Sequence, residues 1–220
     1  MYATPGTTGY ANAGDVLVTL DSAGLWTDSR YYLQAETQLS GCGITLFRSG
    51  LTGVTGIEDW VCEQLNEGMV FGVDPRVMAI KTSQKLTTDL KDKGIELQHV
   101  SENLIDAVWE DRPGPSTAPI EVLSEQHAGE PVNAKLDRLR EEMESAGVST
   151  HVITSMDGVA WLFNLRGADV EYNPVFIAYA AVQQDNAFLF LDEMKLSSGA
   201  REELRGLAEL RPYGDIESYL

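Results

Sequence analysis

The stretch DVLVTLDSAGLWTDSRYY, residues 15–32, contains two short apolar runs separated by a polar turn. Val16–Val18 and Leu25–Trp26 flank Asp21–Gly24, a composition typical of a strand, a turn and a second strand. The residues from Tyr31 onward have the pattern of a helix. The stretch therefore predicts a β-hairpin that leads into a helix, with Arg30 at the junction.

The same plan recurs in IAYAAVQQDNAFLFLDEMKL, residues 177–196. An apolar strand, a polar turn, a second apolar strand and an aspartate follow one another in both stretches, so Asp192 is the predicted equivalent of Asp28, and Met194 that of Arg30. The second copy is preceded by a helix–strand–helix–loop pattern over residues 132–174, whereas the first has almost nothing before it. We expect two related units, the first one truncated at its N-terminus.

Helical and strand patterns alternate along the rest of the chain, which predicts an α/β fold with mixed sheets flanked by helices. Thr55 with Glu58 fits a capping box, and Asn103 is a predicted helix cap. Further predicted elements are strands at 44–50, 69–75, 95–100 and 148–154, and helices at 132–147, around Trp161 and at 201–210.

The composition changes at DRPGPSTAP, residues 111–119, which holds three prolines in nine residues. Proline-rich segments favour an extended, semi-rigid conformation. We therefore expect a first domain over residues 1–111, a linker over 112–131 and a second domain over 132–220.

The chain is strongly acidic, with 34 acidic and 16 basic residues and a formal net charge of −18. Nucleic acids and anionic membranes attract clustered lysine and arginine, so neither is an expected partner. No signal peptide is evident in the first ten residues, and Cys42 and Cys62 do not make a disulfide framework in a chain of this length. We expect a cytoplasmic protein with free thiols.

None of the usual catalytic motifs is present. His99, His127 and His151 lie in different predicted elements and outside any zinc-ligand spacing, and there is no G-x-S-x-G sequence. The spacing of Gly50, Gly53 and Gly56 matches neither the dinucleotide-binding fingerprint nor the P-loop fingerprint. These patterns identify no self-sufficient active site.

Three stretches nevertheless resemble the non-catalytic domains of cytosolic three-domain Xaa-Pro aminopeptidases, in the creatinase/prolidase superfamily. They are LWTDSRYYLQAE (25–36), VSENLIDAVWEDRPGPSTAPI (100–120) and TSMDGVAWLFNLRGADVEYNPVFIAYAAV (154–182). The segment Trp161–Phe176 is the most specific to these enzymes and argues against a prolidase or creatinase relative.

The resemblance implies two related α/β domains that precede a catalytic domain with a dinuclear manganese site. Such enzymes release the N-terminal residue from peptides with proline at position two, and usually form dimers. This chain ends where the second domain ends, so we expect it to hold no cofactor, to contribute no metal ligand and to be inactive alone.

The resemblance also implies that Arg30 contacts the substrate peptide, although Ser29 replaces the glycine more usual in that motif. A guanidinium offers fixed donors to a peptide carbonyl or carboxylate. The alternative is a local pair between Arg30 and Asp28 or another neighbouring carboxylate.

A second candidate is the loop that carries Asn164, Arg166, Asp169, Tyr172 and Asn173. The resemblance suggests that it packs near the mouth of the active site. The alternative is that Arg166 and Asp169 pair and simply fix the loop.

A rival interpretation is a standalone, catalytically inactive protein that acts as an interaction module. An incomplete domain leaves an open sheet edge and exposed apolar surface. We therefore expect self-association, possibly by exchange of elements between copies.

Overall fold

The computed structural model describes residues 14–220, which divide into two compact units on either side of the Pro113–Gly114 bond. The predicted N-terminal truncation of the first domain concerns residues that lie outside this range. Each unit is described separately below.

The first unit opens with the predicted hairpin. Strands β1 (Gly14–Val18) and β2 (Ala23–Thr27) are antiparallel, with Val16 opposite Leu25. Helix α1 (Tyr32–Gln38) then connects β2 to β3 (Ile44–Arg48), which runs parallel to β2. A three-stranded sheet in the order β1-β2-β3 results.

The rest of the first unit alternates helices and strands, as predicted. Its elements are α2 (Ile57–Gln64), β4 (Val70–Val73), a 3-10 turn (Pro75–Val77), α3 (Ile80–Lys91), β5 (Glu96–His99) and α4 (Leu104–Val108). Strands β4 and β5 form a separate parallel pair.

The two predicted helix caps in this unit had different outcomes. Asn103 caps α4 as predicted, because its Oδ1 accepts the N–H of Ile105 at 2.9 Å. The Thr55 cap is wrong, since α2 begins after Gly56 and has no side-chain cap. The Thr55 carbonyl instead accepts the indole N–H of Trp26 at 2.9 Å.

An aromatic cluster forms the centre of the first core. The ring of Trp26 stacks on Phe47 with centroids 4.1 Å apart, and Trp60 meets Trp26 edge-on at 5.2 Å. A Cβ atom at Gly24 would lie 2.7 Å from the Trp26 ring and 2.8 Å from Phe47. Glycine is therefore required where the strand passes beneath this stack.

The second unit contains a four-stranded sheet in the order β11-β10-β9-β7. Strands β10 and β11 are parallel, whereas β9 is antiparallel to both of its neighbours. The strands are β7 (Thr150–Ile153), β9 (Tyr179–Gln183), β10 (Ala187–Leu191) and β11 (Glu209–Pro212). The remaining elements are β6 (Glu121–Val122), α5 (Glu125–Ala128), α6 (Val132–Ser145), α7 (Met156–Leu162), β8 (Leu165–Arg166), a 3-10 turn (Glu193–Lys195), α8 (Ser198–Leu204), a second 3-10 turn (Tyr213–Asp215) and α9 (Ile216–Tyr219).

Strand β10 is buried on both faces, so its side chains belong to two cores. Leu189 and Leu191 face the main cluster with Leu136 and Phe163. Phe188 and Phe190 face a smaller cluster with Ile216 and Tyr219.

The segment 112–131, predicted as a linker, contributes regular structure to the second unit. Strand β6 pairs with β8, and Ile120 is fully buried. The Ile120 N–H donates to the Lys195 carbonyl at 2.7 Å, and the Ile120 carbonyl accepts from Ser197. The buried Ile120 side chain, its two backbone hydrogen bonds and the pairing of β6 with β8 tie this proline-rich segment to the second unit.

The predicted internal repeat is confirmed in the topology. In both units an antiparallel hairpin leads through a helical segment to a third strand parallel to the second. The Asp28 and Asp192 carboxylates each accept the N–H of the residue two positions later, both at 2.9 Å. The helix predicted over 201–210 is wrong at its end, because the chain turns at Gly206 and continues as β11.

Candidate functional site

Arg30 lies in the turn that follows β2, and Asp28 holds it in a two-point ion pair. The Asp28 Oδ1 accepts Nε of Arg30 at 2.9 Å, and Oδ2 accepts Nη2 at 2.7 Å. The backbone N–H of Arg30 also donates to Oδ1. One carboxylate thus fixes both the turn and the plane of the guanidinium, whose side chain is 70% exposed.

This pair stays ionised over the physiological range. The guanidinium hydrogen bonds, helped by the backbone N–H of Arg30, lower the pKa of Asp28 to about 2. Asp28 in turn raises the pKa of Arg30. The Tyr31 ring centroid lies 5.4 Å from the Arg30 Cζ. The pairing with Asp28 uses Nε and Nη2 of Arg30 and leaves Nη1 without an acceptor among residues 14–220. A local pair with Asp28 and a contact between Arg30 and the substrate are therefore compatible.

The loop residues do not converge on one site. Asn164 is buried, with a left-handed φ of 50°, and its side chain bridges two segments. Its Oδ1 accepts from Lys135 at 2.7 Å, and its Nδ2 donates to the Glu130 carbonyl at 2.8 Å. Asn164 therefore has a structural role, because its side chain joins the loop to Lys135 and to the Glu130 backbone.

Arg166 and Asp169 do not pair, so that alternative is wrong. The Arg166 Nη1 donates to the carbonyls of Ala160 and Leu165, at 2.9 and 2.7 Å. Asp169 accepts the N–H of Ile177 at 2.7 Å and forms a buried ion pair with Lys195. Asp169 thereby closes the base of the loop.

Tyr172 and Asn173 form the tip of the loop. The Asn173 N–H donates to the Val170 carbonyl at 3.1 Å, which makes a tight turn. Tyr172 has a φ of 61° and is 94% exposed. A left-handed tyrosine is unusual, and here the clamped base of the loop holds it outward.

Several buried charged residues were not predicted from the sequence, although two of them had a signal there. Lys135, Lys195 and Asp74 are all at most 9% exposed. The helical repeat gave a signal for Lys135, which lies beside the apolar stripe of Val132 and Leu139 on α6. For Asp74 the signal was the sequence Asp74-Pro75-Arg76, which repeats the Asp-x-Arg pattern of residues 28–30.

No metal-binding cluster is found in the part of the chain that the structure describes, where no three His, Cys, Asp or Glu side chains are grouped to hold an ion. His99 and His127 instead contact Ser83 and Ser124, respectively. No helix within residues 14–220 has the length and apolar character needed to cross a membrane.

Comparison with protein-family models finds two matches to the creatinase/prolidase N-terminal domain, over residues 6–108 and 111–220. A probable Xaa-Pro aminopeptidase P from Arthroderma gypseum is 43% identical over 206 residues, which cover 93% of this chain and 32% of that protein. One from Leptosphaeria maculans is 37% identical over 215 residues, which cover 98% and 35%.

Among solved structures, an X-prolyl aminopeptidase from Caenorhabditis elegans superposes with a TM-score of 0.91 at 30% identity. It is described as a cytosolic enzyme with a di-nuclear active site. The match covers 99% of this chain and 39% of that enzyme. The chain spans about a third of the length of the curated relatives. The α/β fold with two such domains, and the expected resemblance, are confirmed.

Proposed function

The chain belongs to the creatinase/prolidase N-terminal domain family, and we propose that it is the non-catalytic N-terminal portion of a manganese-dependent Xaa-Pro aminopeptidase. The observation that carries this proposal is the structural similarity over nearly the whole chain to the N-terminal part of an X-prolyl aminopeptidase. That relative is named an X-prolyl aminopeptidase, which supports a peptide substrate for the longer protein, and it is described as cytosolic, which supports a cytoplasmic location.

In this proposal the two domains wall the substrate cleft, and Arg30 contacts the peptide. A guanidinium oriented by Asp28 presents its remaining donors without a further loss of side-chain freedom. Hydrogen bonds to a charged group contribute about 1.5–3 kcal/mol, which corresponds to roughly a tenfold or larger change in affinity. The loop tip with Tyr172 and Asn173 is the second proposed contact of the cleft.

The kinetic test uses the longer protein that the proposal requires. Arg30→Ala is expected to raise KM for longer Xaa-Pro peptides by about tenfold, because the lost contact contributes to binding. Arg205→Ala removes an exposed, ion-paired arginine of the second unit and serves as the control. Unchanged kinetics of the Arg30 variant at every peptide length would refute the assignment.

The manganese ions are proposed to bind outside this chain. The 220-residue chain is then expected to hydrolyse no Xaa-Pro peptide in the presence of Mn²⁺ and to retain no Mn²⁺ after gel filtration. Metal analysis and a peptide-release assay measure both, and stoichiometric Mn²⁺ would contradict this part of the proposal.

A second candidate, a self-associating interaction module, is favoured by one feature of the second unit. Strand β7 ends the sheet order, so one of its edges pairs with no other described strand. Such an edge invites pairing with another copy. Light scattering at micromolar concentration is expected to show a dimer, and a monodisperse monomer would count against this candidate.

A further inference from the structure

A cavity of about 440 Å³ lies in the second unit, between α6, β7 and α7. Its apolar wall is formed by Leu139, Ile153, Trp161 and Leu162. Trp161 is one of the four tryptophans in the chain, and it is 49% exposed. A half-exposed indole beside an apolar cavity is a common feature of ligand sites.

A buried ammonium group lies against this indole. Lys135 is only 2% exposed, and its Nζ lies 4.4 Å from the centroid of the Trp161 ring. It donates to the Trp161 carbonyl and to Asn164 Oδ1, each at 2.7 Å. An ammonium has three N–H donors, and within residues 14–220 only these two acceptors are within reach.

Part of the role of Lys135 is structural. Helix α7 ends at Leu162, so the carbonyls of its last turn lack partners within the helix. Lys135 and Arg166 supply donors to the Trp161 and Ala160 carbonyls, respectively. This accounts for two hydrogen bonds, but not for the cavity or for the surplus of positive charge.

Positive charge exceeds negative charge at this end of the cavity. Arg138 lines it and lies 5.9 Å from the Trp161 ring, and Arg166 lies close enough to repel Lys135. Among the described residues, Glu130 is the one carboxylate that acts on Lys135, and Arg138 already pairs with it. Burial is the main cause of the lowered pKa of Lys135. A bound anion would offset both the burial of the Lys135 ammonium and its repulsion by the neighbouring arginines.

The other end of the cavity has a different character. Glu142 and His151 line it, and Glu142 lies seven residues from Lys135 along α6, about 10 Å by helix geometry. A carboxylate is thus favoured at the Lys135–Arg138 end and disfavoured at the Glu142 end. The cavity has a defined polarity as well as an apolar wall.

We propose that this cavity binds a small carboxylate with an apolar group, either a free acid or the C-terminal residue of a peptide. The carboxylate is directed to Lys135 and Arg138, and the apolar group packs on Trp161, Leu139 and Ile153. This inference does not depend on the proposed function, because every residue involved belongs to the second unit.

The test compares 3-phenylpropionate with 3-phenylpropan-1-ol, which has the same apolar group but no charge. Both are titrated into the full chain while the indole N–H signals are followed by NMR. The acid is expected to shift the Trp161 signal saturably and to bind at least tenfold more tightly than the alcohol. Equal binding of the two compounds, or no shift of the Trp161 signal, would overturn the proposal.

Variants distinguish binding at this cavity from non-specific binding and from the effects of misfolding. Trp161→Leu and Arg138→Gln are expected to weaken binding of the acid about tenfold. Arg205→Gln, at an exposed position directly after α8, is expected to leave it unchanged. Lys135→Met is informative only if its NMR spectrum remains native, so Arg138→Gln is the deciding variant. An Arg138→Gln variant that binds the acid as tightly as the unmodified chain would refute the charge assignment.

Peptides ending in phenylalanine distinguish the two sources of the carboxylate. If the ligand is a peptide terminus, a peptide with a free C-terminus binds and its amidated form does not. If only 3-phenylpropionate binds, the ligand is a free acid. Equal binding of the free and amidated peptides would contradict recognition of a carboxylate.

Discussion

The first unit contains two Asp-x-Arg turns with the same hydrogen bonds but different surroundings. Asp28 and Asp74 each follow a strand, and each accepts the backbone N–H, Nε and Nη2 of the arginine two residues later. The Asp28 side chain is 36% exposed, whereas that of Asp74 is 2% exposed. Asp74 also accepts Nδ2 of Asn103 at 3.0 Å and so ties the turn to the cap of α4.

A third turn shows that the arginine is not needed to build this geometry. Asp192 accepts the N–H of Met194 in the same way, and the methionine side chain is 89% exposed. The aspartate therefore makes the turn. Asp74 joins two segments of the first unit, whereas the Asp28 carboxylate makes no hydrogen bond or ion pair with a described residue beyond its own turn, which is consistent with a role for Arg30 outside the fold.

The largest expected effect is the loss of stability in Asp74→Ala. Removal of a buried, charge-paired carboxylate leaves Asn103 and the turn unsatisfied, and is expected to cost about 2–4 kcal/mol in the free energy of unfolding. Urea unfolding followed by tryptophan fluorescence measures it, since three of the four tryptophans lie in the first unit. Asp28→Ala is the matched control, and an equal loss in both variants would remove the distinction between the turns.

Acid sensitivity sharpens the same contrast. The hydrogen bond from the Arg76 guanidinium is the main cause that lowers the pKa of Asp74 below its ordinary 3.8. Its stabilisation is therefore complete above the unfolded-state pKa and is lost as the pH falls through the folded-state value. We expect stability to decline below about pH 4 in the unmodified chain and less steeply in Asp74→Asn. Parallel declines in the two proteins would contradict this origin.

Asp192→Ala should have a smaller effect than Asp74→Ala. Because the side chain makes a single turn-capping hydrogen bond, its loss is expected to cost about 1 kcal/mol. Thermal unfolding of the second unit measures it. A cost as large as that of Asp74→Ala would show that the turn geometry, and not the buried network, carries the stability.

Asp28→Ala is expected to lose the same turn-capping hydrogen bond as Asp192→Ala and little more, because the ion pair of Asp28 with Arg30 is exposed. The Asp28 carboxyl should still titrate at about 2 in the unmodified chain and return toward 3.8 in Arg30→Gln. Carboxyl ¹³C NMR follows this titration. If the Asp28 carboxyl titrates near 3.8 in the unmodified chain, the Arg30 guanidinium does not pair with it.

The sequence predicted elements whose signal is local. The hairpin of residues 15–32, the Asn103 cap and the equivalence of Asp28 and Asp192 all follow from turn and strand chemistry within a few residues. Strands β6 and β8 have two residues each, so no periodicity marks them, and they exist because they pair across 43 or more positions of the chain. The pairing of Asp169 with Lys195 was also missed, because proximity in sequence favoured Arg166.

The candidate site could likewise be predicted only where its contacts join residues that are close in the sequence. The Arg30–Asp28 pair was one of the alternatives read from two neighbouring residues. The buried position of Lys135 depends on how α6 packs against α7, and that is a tertiary contact. Burial also separates Asp74 from Asp28, although the sequences Asp28-Ser29-Arg30 and Asp74-Pro75-Arg76 are nearly alike.

The size of the endogenous protein tests the central claim most directly. An antibody against residues 112–131, used on an extract of the source cells, is expected to detect a protein of about three times 24.1 kDa, because the chain spans about a third of its relatives. That result would agree with an N-terminal portion of an aminopeptidase and make Arg30 a substrate residue. A single band at 24.1 kDa would contradict the account and favour the free-standing interaction module.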